Sequence, residues 1–317
     1  DYALKGPASI DESLFVELGG IEQWVSIRGE DRKNPVLLVL HGGPGDATTL
    51  YTYAMFRTWL KTFTVVQWDQ RGAGRTLGRN PGSASTITLE RMTQDGVELV
   101  EFLRKRLEQP KVILLGHSFG SILGVRMAKA RPELFSALVG TGQVGDPQTG
   151  YTVAYGALVA KAEAVGDQPA VTELKAVGPP PYPDGRGFGV QRTWANRFEG
   201  ADRFLASMLG FAIAAPGATI KDVNDWLDGQ GASAEQLVPK TAALKAADLS
   251  GEFALPVVVI QGDEDFTTPT SLAKAFVDGV RAPRKMFVTI PGGHFVMFMR
   301  PDSFLDALAT YVLPLTR

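Results

Sequence analysis

The chain of 317 residues contains no cysteine and only three histidines. The first absence removes disulfides, thiolate nucleophiles and Cys-ligated metals together, and it leaves the redox compartment open. The second means that any imidazole chemistry has to be assigned among His41, His117 and His294. An excess of charge is missing too. Lys+Arg number 32 against 34 Asp+Glu, a formal charge of −2, so neither nucleic acid nor an anionic membrane has an electrostatic reason to bind. No apolar run reaches the length of a membrane span; the richest stretch, 151–166, carries Lys161 and Glu163. What is present, 44% hydrophobic and 21% charged residues, fits a soluble protein with a sizeable core. The cytoplasm is the first expectation for compartment. The periplasm or exterior is second, since a leader removed ahead of Asp1 would leave no trace. Composition sets no oligomeric state.

Apolar runs at 35–40, 64–68, 111–115 and 256–260 are continuous rather than alternating, as in strands buried on both faces of a parallel sheet. A further run at 285–290 reads as the last strand. Runs at 14–18 and 21–27 flank Gly19 and Gly20, a hairpin signal that predicts antiparallel strands at one edge. Between strands, 89–107 is amphipathic along Met92, Leu99, Val100, Leu103 and Leu107, with Thr88 as its predicted N-cap. A closing helix is predicted over 302–313, opened by Pro301. From 145 to 250 no β-like run occurs; Ala-rich helical patches surround a Pro/Gly segment at 178–187. The expectation is an α/β core formed by 1–144 and 251–317, with 145–250 inserted as a helical cap.

The sharpest chemical signal is Gly116-His117-Ser118-Phe119-Gly120, directly after a buried strand and directly before a helical pattern. A serine on such a turn projects its hydroxyl above the sheet, and side chains two residues to either side would collide with neighbouring backbone. A hydroxyl needs a base. His117 is adjacent to Ser118 and points elsewhere, packed or bonded locally, and His41 opens a Gly-rich loop where a structural role fits. His294 lies in the loop after the last strand, at the sheet end where parallel α/β proteins place their sites; elimination makes it the base. The imidazole in turn needs a carboxylate to fix its tautomer. Asp263, Glu264 and Asp265 follow the strand at 256–260, and spacing alone does not choose among them; Asp265 is taken first and Asp263 second. The other position sometimes used for this acid offers Thr141 and Gly142 instead. The order Ser118, Asp265, His294 is nucleophile, acid, base. His41-Gly42-Gly43-Pro44-Gly45 can turn backbone N–H groups toward the nucleophile, so Gly43 and Phe119 are the expected oxyanion donors. No metal and no cofactor is called for.

These residues resemble the α/β-hydrolase fold, and more narrowly its proline iminopeptidase-like (prolyl aminopeptidase) branch. The motifs that carry the resemblance are 41–45, Asp69-Gln-Arg-Gly-Ala-Gly-Arg75 and 116–121, with Asp265 and His294 matching the acid and base. It covers 14–140 and 251–317 well and the insertion poorly. The resemblance implies release of an N-terminal residue from a peptide, arylamide or ester, with cap carboxylates recognising the free amine. The segment Trp194 to Glu199 loosely matches one amine-binding element, and Pro179, Pro180, Pro181 and Tyr182 are candidates for the pocket rim. No second carboxylate is found, because 209–215 is apolar where one is expected. Glu199 therefore reads as a surface residue in preference to an amine ligand.

The leading expectation is thus a serine hydrolase acting through an acyl-enzyme on a small-molecule or short-peptide substrate, of iminopeptidase type. An esterase, lactonase or C–C hydrolase for a small apolar substrate is the alternative. A non-catalytic receptor on the same scaffold is the remote one.

Overall fold

The continuous apolar runs form a sheet buried on both sides. The computed structural model describes residues 2–183 and 185–316; Asp1, Asp184 and Arg317 lie outside the described residues. Eight strands make the main sheet: β1 (Ile10–Leu18), β2 (Ile21–Gly29), β3 (Val36–Leu40), β4 (Thr64–Trp68), β5 (Val112–His117), β6 (Phe135–Thr141), β7 (Val257–Gly262) and β8 (Lys285–Ile290). Their order is β1-β2-β4-β3-β5-β6-β7-β8. The β1–β2 hairpin and the β2–β4 pair are antiparallel, and every later pair is parallel. Alternate residues of one strand feed opposite cores: Val36, Leu38 and Leu40 of β3 pack on one face, Leu37 and Val39 on the other. The same split divides Val112 and Leu114 from Ile113 and Leu115 in β5. Each such side chain, fully buried, contributes about 1.5–3 kcal/mol, so there is no polar face to interrupt the run.

Helices cover both faces. Those between strands include α1 (Gly74–Arg79), α2 (Leu89–Leu107) and α3 (Phe119–Ala130). The Thr88 side chain accepts from Arg91 N at 3.1 Å, so α2 starts where its cap was expected. After β6 the chain runs through α4 (Gly150–Val165), α5 (Gln168–Val177), α6 (Gly185–Phe198), α7 (Asp202–Ala214) and α8 (Ile220–Ala242) before returning to β7. Next come α9 (Thr270–Gly279) and α10 (Pro301–Ala307). The closing helix departs from the sequence expectation. Its α-ladder ends at Ala307 and passes through a π-turn, Leu308–Val312, and a 3₁₀ turn, Leu313–Thr316. Pro314 has no N–H to donate back into this last stretch, while Leu313 before it keeps α-region dihedrals, φ −54° and ψ −39°. Among the described residues, no helix is long and apolar enough to cross a membrane.

The turn after β4 braces the first Gly-rich loop. Gln70 N donates to His41 Nε2 at 3.2 Å, and its side-chain amide donates to His41 O at 3.3 Å. The neighbouring Arg71 guanidinium is buried on Asp95, with contacts of 2.7 and 3.1 Å, and also donates to Thr86 Oγ1 and Gly19 O. Both side chains of that pair are at most 1% exposed. Removing one partner leaves the other as an uncompensated buried charge. Asp95→Ala is expected to lower unfolding free energy by about 3–5 kcal/mol in urea titrations; a loss below about 1 kcal/mol would contradict this role.

Candidate active site

Ser118 sits between β5 and α3 with φ 55° and ψ −121°, a conformation that costs a non-glycine residue energy. The elbow is held by Ser118 N donating to Thr141 O at 3.0 Å and by Ser121 N donating back to Ser118 O at 2.8 Å. Its two glycines are required by contact. A Cβ on Gly120 would stand 2.1 Å from Leu40 O, and one on Gly116 would stand 2.4 Å from Gly120 O. The turn therefore brings α3 hard against β3, with Phe119 N as the first amide of α3 and no intrahelical acceptor for it.

His294, on the loop after β8, is 2% exposed. Its Nδ1 lies 3.0 Å from Asp265 Oδ2. Asp265 is the carboxylate the fold turns inward. Thr267 N and Thr268 N donate to its Oδ1 at 2.9 and 2.7 Å, and Gln261 Nε2 and Thr268 Oγ1 donate to Oδ2 at 2.8 and 2.9 Å. Burial opposes its charge, but the His294 ring and these donors outweigh burial and lower its pKa. Asp263 instead accepts from Gly292 N, and Glu264 pairs with Lys161 on the exterior. The position after β6 has no room for an acid, because a Cβ on Gly142 would lie 2.8 Å from His294 Cε1.

The other histidines occupy supporting places. His117 is bonded across the fold rather than locally: its Nε2 lies 3.1 Å from His294 O, and the two rings are 4.9 Å apart. Burial, with the neighbouring His294, drives His117 down to about 3, so it stays neutral. His41 is buried in the loop before Gly42, and burial lowers its pKa.

Glu199 departs from the sequence expectation of a surface residue. It is 8% exposed and tucked beneath the loop that carries His294. Its Oε2 accepts from His294 N at 2.8 Å and its Oε1 from Phe266 N at 2.7 Å. One carboxylate just beyond α6 thus ties the loop of His294 to the loop of Asp265. A Cβ on Gly293 would lie 2.4 Å from Glu199 Cγ, which accounts for the glycine directly before His294. Burial first, and the Asp265 charge second, push Glu199 up to about 7. Trp194 does not line the cavity either; it packs with Leu158, Ala162 and Leu174 inside the helical segment, and its Nε1 donates to Glu173 at 2.9 Å. Tyr182 does reach the cavity, beside Pro180 and Pro181.

Ser118 and His294 open on one cavity of about 950 Å³, together with Gly43. A narrower recess of about 140 Å³ continues past Ser118, Gly43 and Phe119 to Thr267 and Thr268. His294 Nε2 has no hydrogen-bond partner among the described residues, the Ser118 hydroxyl included. Such contacts commonly tighten only once substrate is bound. The helices that follow β6 roof this space. Trp226 Nε1 of α8 donates to Asp46 Oδ1 at 2.8 Å, and Ser233 Oγ to Gly72 O at 2.9 Å. Sequence reasoning missed Gln261, Thr268 and the cavity-lining Arg192. The last had a signal, since Arg192, Ala195 and Glu199 are spaced to share one helix face.

A strand-turn-helix serine with an Asp-bonded histidine on the later strands, beneath inserted helices, defines a class of hydrolytic α/β proteins. A sequence model of the alpha/beta hydrolase fold matches residues 35–301, and the chain belongs to that family. A Bacillus subtilis (strain 168) protein named "Probable aminopeptidase YbaC" is 26% identical over 301 residues, 93% of this chain and 94% of its own. The crystal structure of a proline iminopeptidase-related protein from Thermus thermophilus is similar at TM-score 0.67 and 22% identity, covering 96% of this chain and 99% of that one. The 2-hydroxy-6-oxo-6-phenylhexa-2,4-dienoate hydrolase of Rhodococcus sp. strain RHA1 matches at TM-score 0.61 and 18% identity, over 95% and 98% of the two chains. At these identities the structural likenesses bear on fold alone.

The Glu199 geometry has two measurable consequences. Glu199→Ala deprives two buried amides of their acceptor and is expected to cost about 2–5 kcal/mol in denaturant unfolding. Because the folded value, about 7, lies above the ordinary 4.5, the folded chain holds this proton more tightly than the unfolded chain. That contribution is complete below the ordinary value and is lost as pH rises toward the folded one. The melting temperature of the natural chain should therefore fall relative to Glu199→Gln across that window. A constant difference between the two would contradict the assignment.

Proposed function

We propose that the protein is a serine hydrolase in which Ser118 is the nucleophile, His294 the general base and Asp265 the group that orients it. The observation that carries this is the buried Asp265–His294 Nδ1 contact of 3.0 Å, which leaves Nε2 to the cavity that Ser118 enters. Ser118 Oγ attacks a substrate carbonyl while its proton passes to His294 Nε2. Asp265 stabilises the imidazolium that results without itself taking the proton. Gly43 N and Phe119 N donate to the oxyanion, each contributing about 3–4 kcal/mol to the transition state. His294 then protonates the leaving group, and a water activated the same way releases the acyl group. Residues 145–250 serve as a cap over the core formed by 1–144 and 251–317.

For the substrate, the charge lining the cavity favours a small ester or related acyl compound over a free N-terminal amine. Glu199, the one cap carboxylate that resembled an amine ligand, is used by two backbone amides. Asp46 lines the cavity, but it already accepts from Ala47 N, Trp226 Nε1 and the Tyr51 hydroxyl. Aminopeptidase action is the second reading, favoured by the name of the Bacillus relative. An aryl ester panel set beside prolyl- and alanyl-arylamides separates the two. Robust ester turnover with arylamides at least about tenfold slower supports the first, and the reverse order supports the second. Ser118→Ala is expected to reduce kcat by at least about 10³-fold with the fold retained by circular dichroism; undiminished turnover would reject the mechanism.

A further inference from the structure

We propose that Arg192 is an anion-recognition residue and that the substrates are acyl compounds carrying one carboxylate on an otherwise apolar body. The proposal rests on the serine-hydrolase reading of the same site and adds the chemical class of its substrate.

Arg192 projects from α6 into both spaces that contain Ser118. It lines the large cavity and also the narrow recess that holds Gly43 and Phe119. Its Nη1 donates to Thr267 Oγ1 at 2.6 Å, and its guanidinium lies 5.9 Å from the centre of the Phe188 ring. Among the described residues, no carboxylate forms an ion pair with it. Most other arginines with acidic neighbours on this protein are used that way, as Arg71 is with Asp95 and Arg75 with Asp222. A guanidinium has five N–H donors in a planar fork. With one arm fixed by Thr267, which itself donates its N–H to Asp265, the remaining edge is held in place and open to a ligand.

Two carboxylates also stand at these walls: Asp46 in the large cavity, whose oxygens are engaged by three donors of its own chain, and Asp146 in the recess, which accepts from Gln148 N and Thr149 Oγ1. Arg192 is thus the one cation among the residues that line the large cavity, and the walls around it are largely apolar, including Phe188, Leu205, Met208, Leu209 and Leu227. One guanidinium edge matches one carboxylate in a bidentate, charge-assisted contact. A phosphate dianion would call for further cations that this lining lacks. The rest of the substrate is apolar because its surroundings are. Free amino groups are disfavoured near Ser118 by the same charge that favours an acid.

Two matched ester pairs test this. In the first the acyl side differs, p-nitrophenyl hydrogen glutarate against p-nitrophenyl pentanoate. In the second the leaving side differs, the butyrate ester of 3-hydroxybenzoate against that of phenol. The natural protein is expected to favour the carboxylate-bearing member of at least one pair by about tenfold or more in kcat/KM. Arg192→Gln keeps a side chain able to reach Thr267 but has no charge, and should reduce that charged-to-neutral ratio at least about tenfold. Arg192→Lys should retain part of the ratio, and added salt should shrink it. A preference for the neutral member in both pairs, or a ratio unchanged by Arg192→Gln, overturns the proposal while leaving Ser118 chemistry intact. Loss of all ester turnover would instead strike the serine-hydrolase reading. For that case binding is read without catalysis: in the Ser118→Ala background, monomethyl glutarate should raise the melting temperature more than dimethyl glutarate does. Adding Arg192→Gln should abolish the difference, and equal shifts from the two compounds would count against anion recognition.

Discussion

The contact between Asp265 and His294 is the constraint around which the other features of the site are arranged. A carboxylate and an imidazole, both almost wholly buried, keep a productive geometry only if every remaining lone pair and N–H is satisfied. Four protein donors around Asp265 do this on one side, and Thr268 Oγ1, 3.1 Å from His294 Nδ1, touches both partners. On the other side, the His294 backbone is gripped at its amide by Glu199 and at its carbonyl by His117. The imidazole is thus located through its main chain as well as its ring. That leaves Nε2 as its chemically free atom.

This arrangement draws the helices between β6 and β7 into the candidate site. The face of α6 that meets the core supplies Arg192 to the cavity and, just past its end, Glu199 to the loops of the acid and base. From the opposite side, α8 reaches the Gly-rich loop through Trp226 and Asp46 and reaches the turn after β4 through Ser233 and Gly72. The two helices clamp different halves of the site, the Gly-rich loop and the loops that carry Asp265 and His294. Motion of the helical segment would therefore alter the geometry around Ser118 and His294 as well as access to them.

What could be read from the sequence follows from where the determining forces are local. Two-sided burial makes continuous apolar runs, so β3, β4, β5 and β7 were legible, while the edge strand β8 was read from a partly exposed run. The elbow was legible because its glycines recur around the serine: Gly116 is demanded by contact within the turn and Gly120 by the turn's close approach to β3. His294 emerged from a scarcity of alternatives. Asp265, Asp263 and Glu264 could not be separated by spacing, because their difference lies in which way a loop wraps and which amides it presents. Glu199 was misread for a related reason. A glutamate at a helix end resembles a solvated charge, and the amides that bury it belong to loops 67 and 95 residues away. The change of ladder after Ala307 in the closing helix leaves no mark on its apolar periodicity.

The central claim is that an ester substrate passes through a covalent intermediate on Ser118 generated by His294. Rapid chemical quench of the protein with an aryl ester, followed by peptide mass spectrometry, measures this most directly. The account requires one acyl group per chain, attached at Ser118, released with a burst of one equivalent of phenol and absent when His294 is replaced by Ala. Product formed without any acylated Ser118 peptide, or acylation that persists undiminished without His294, would contradict it.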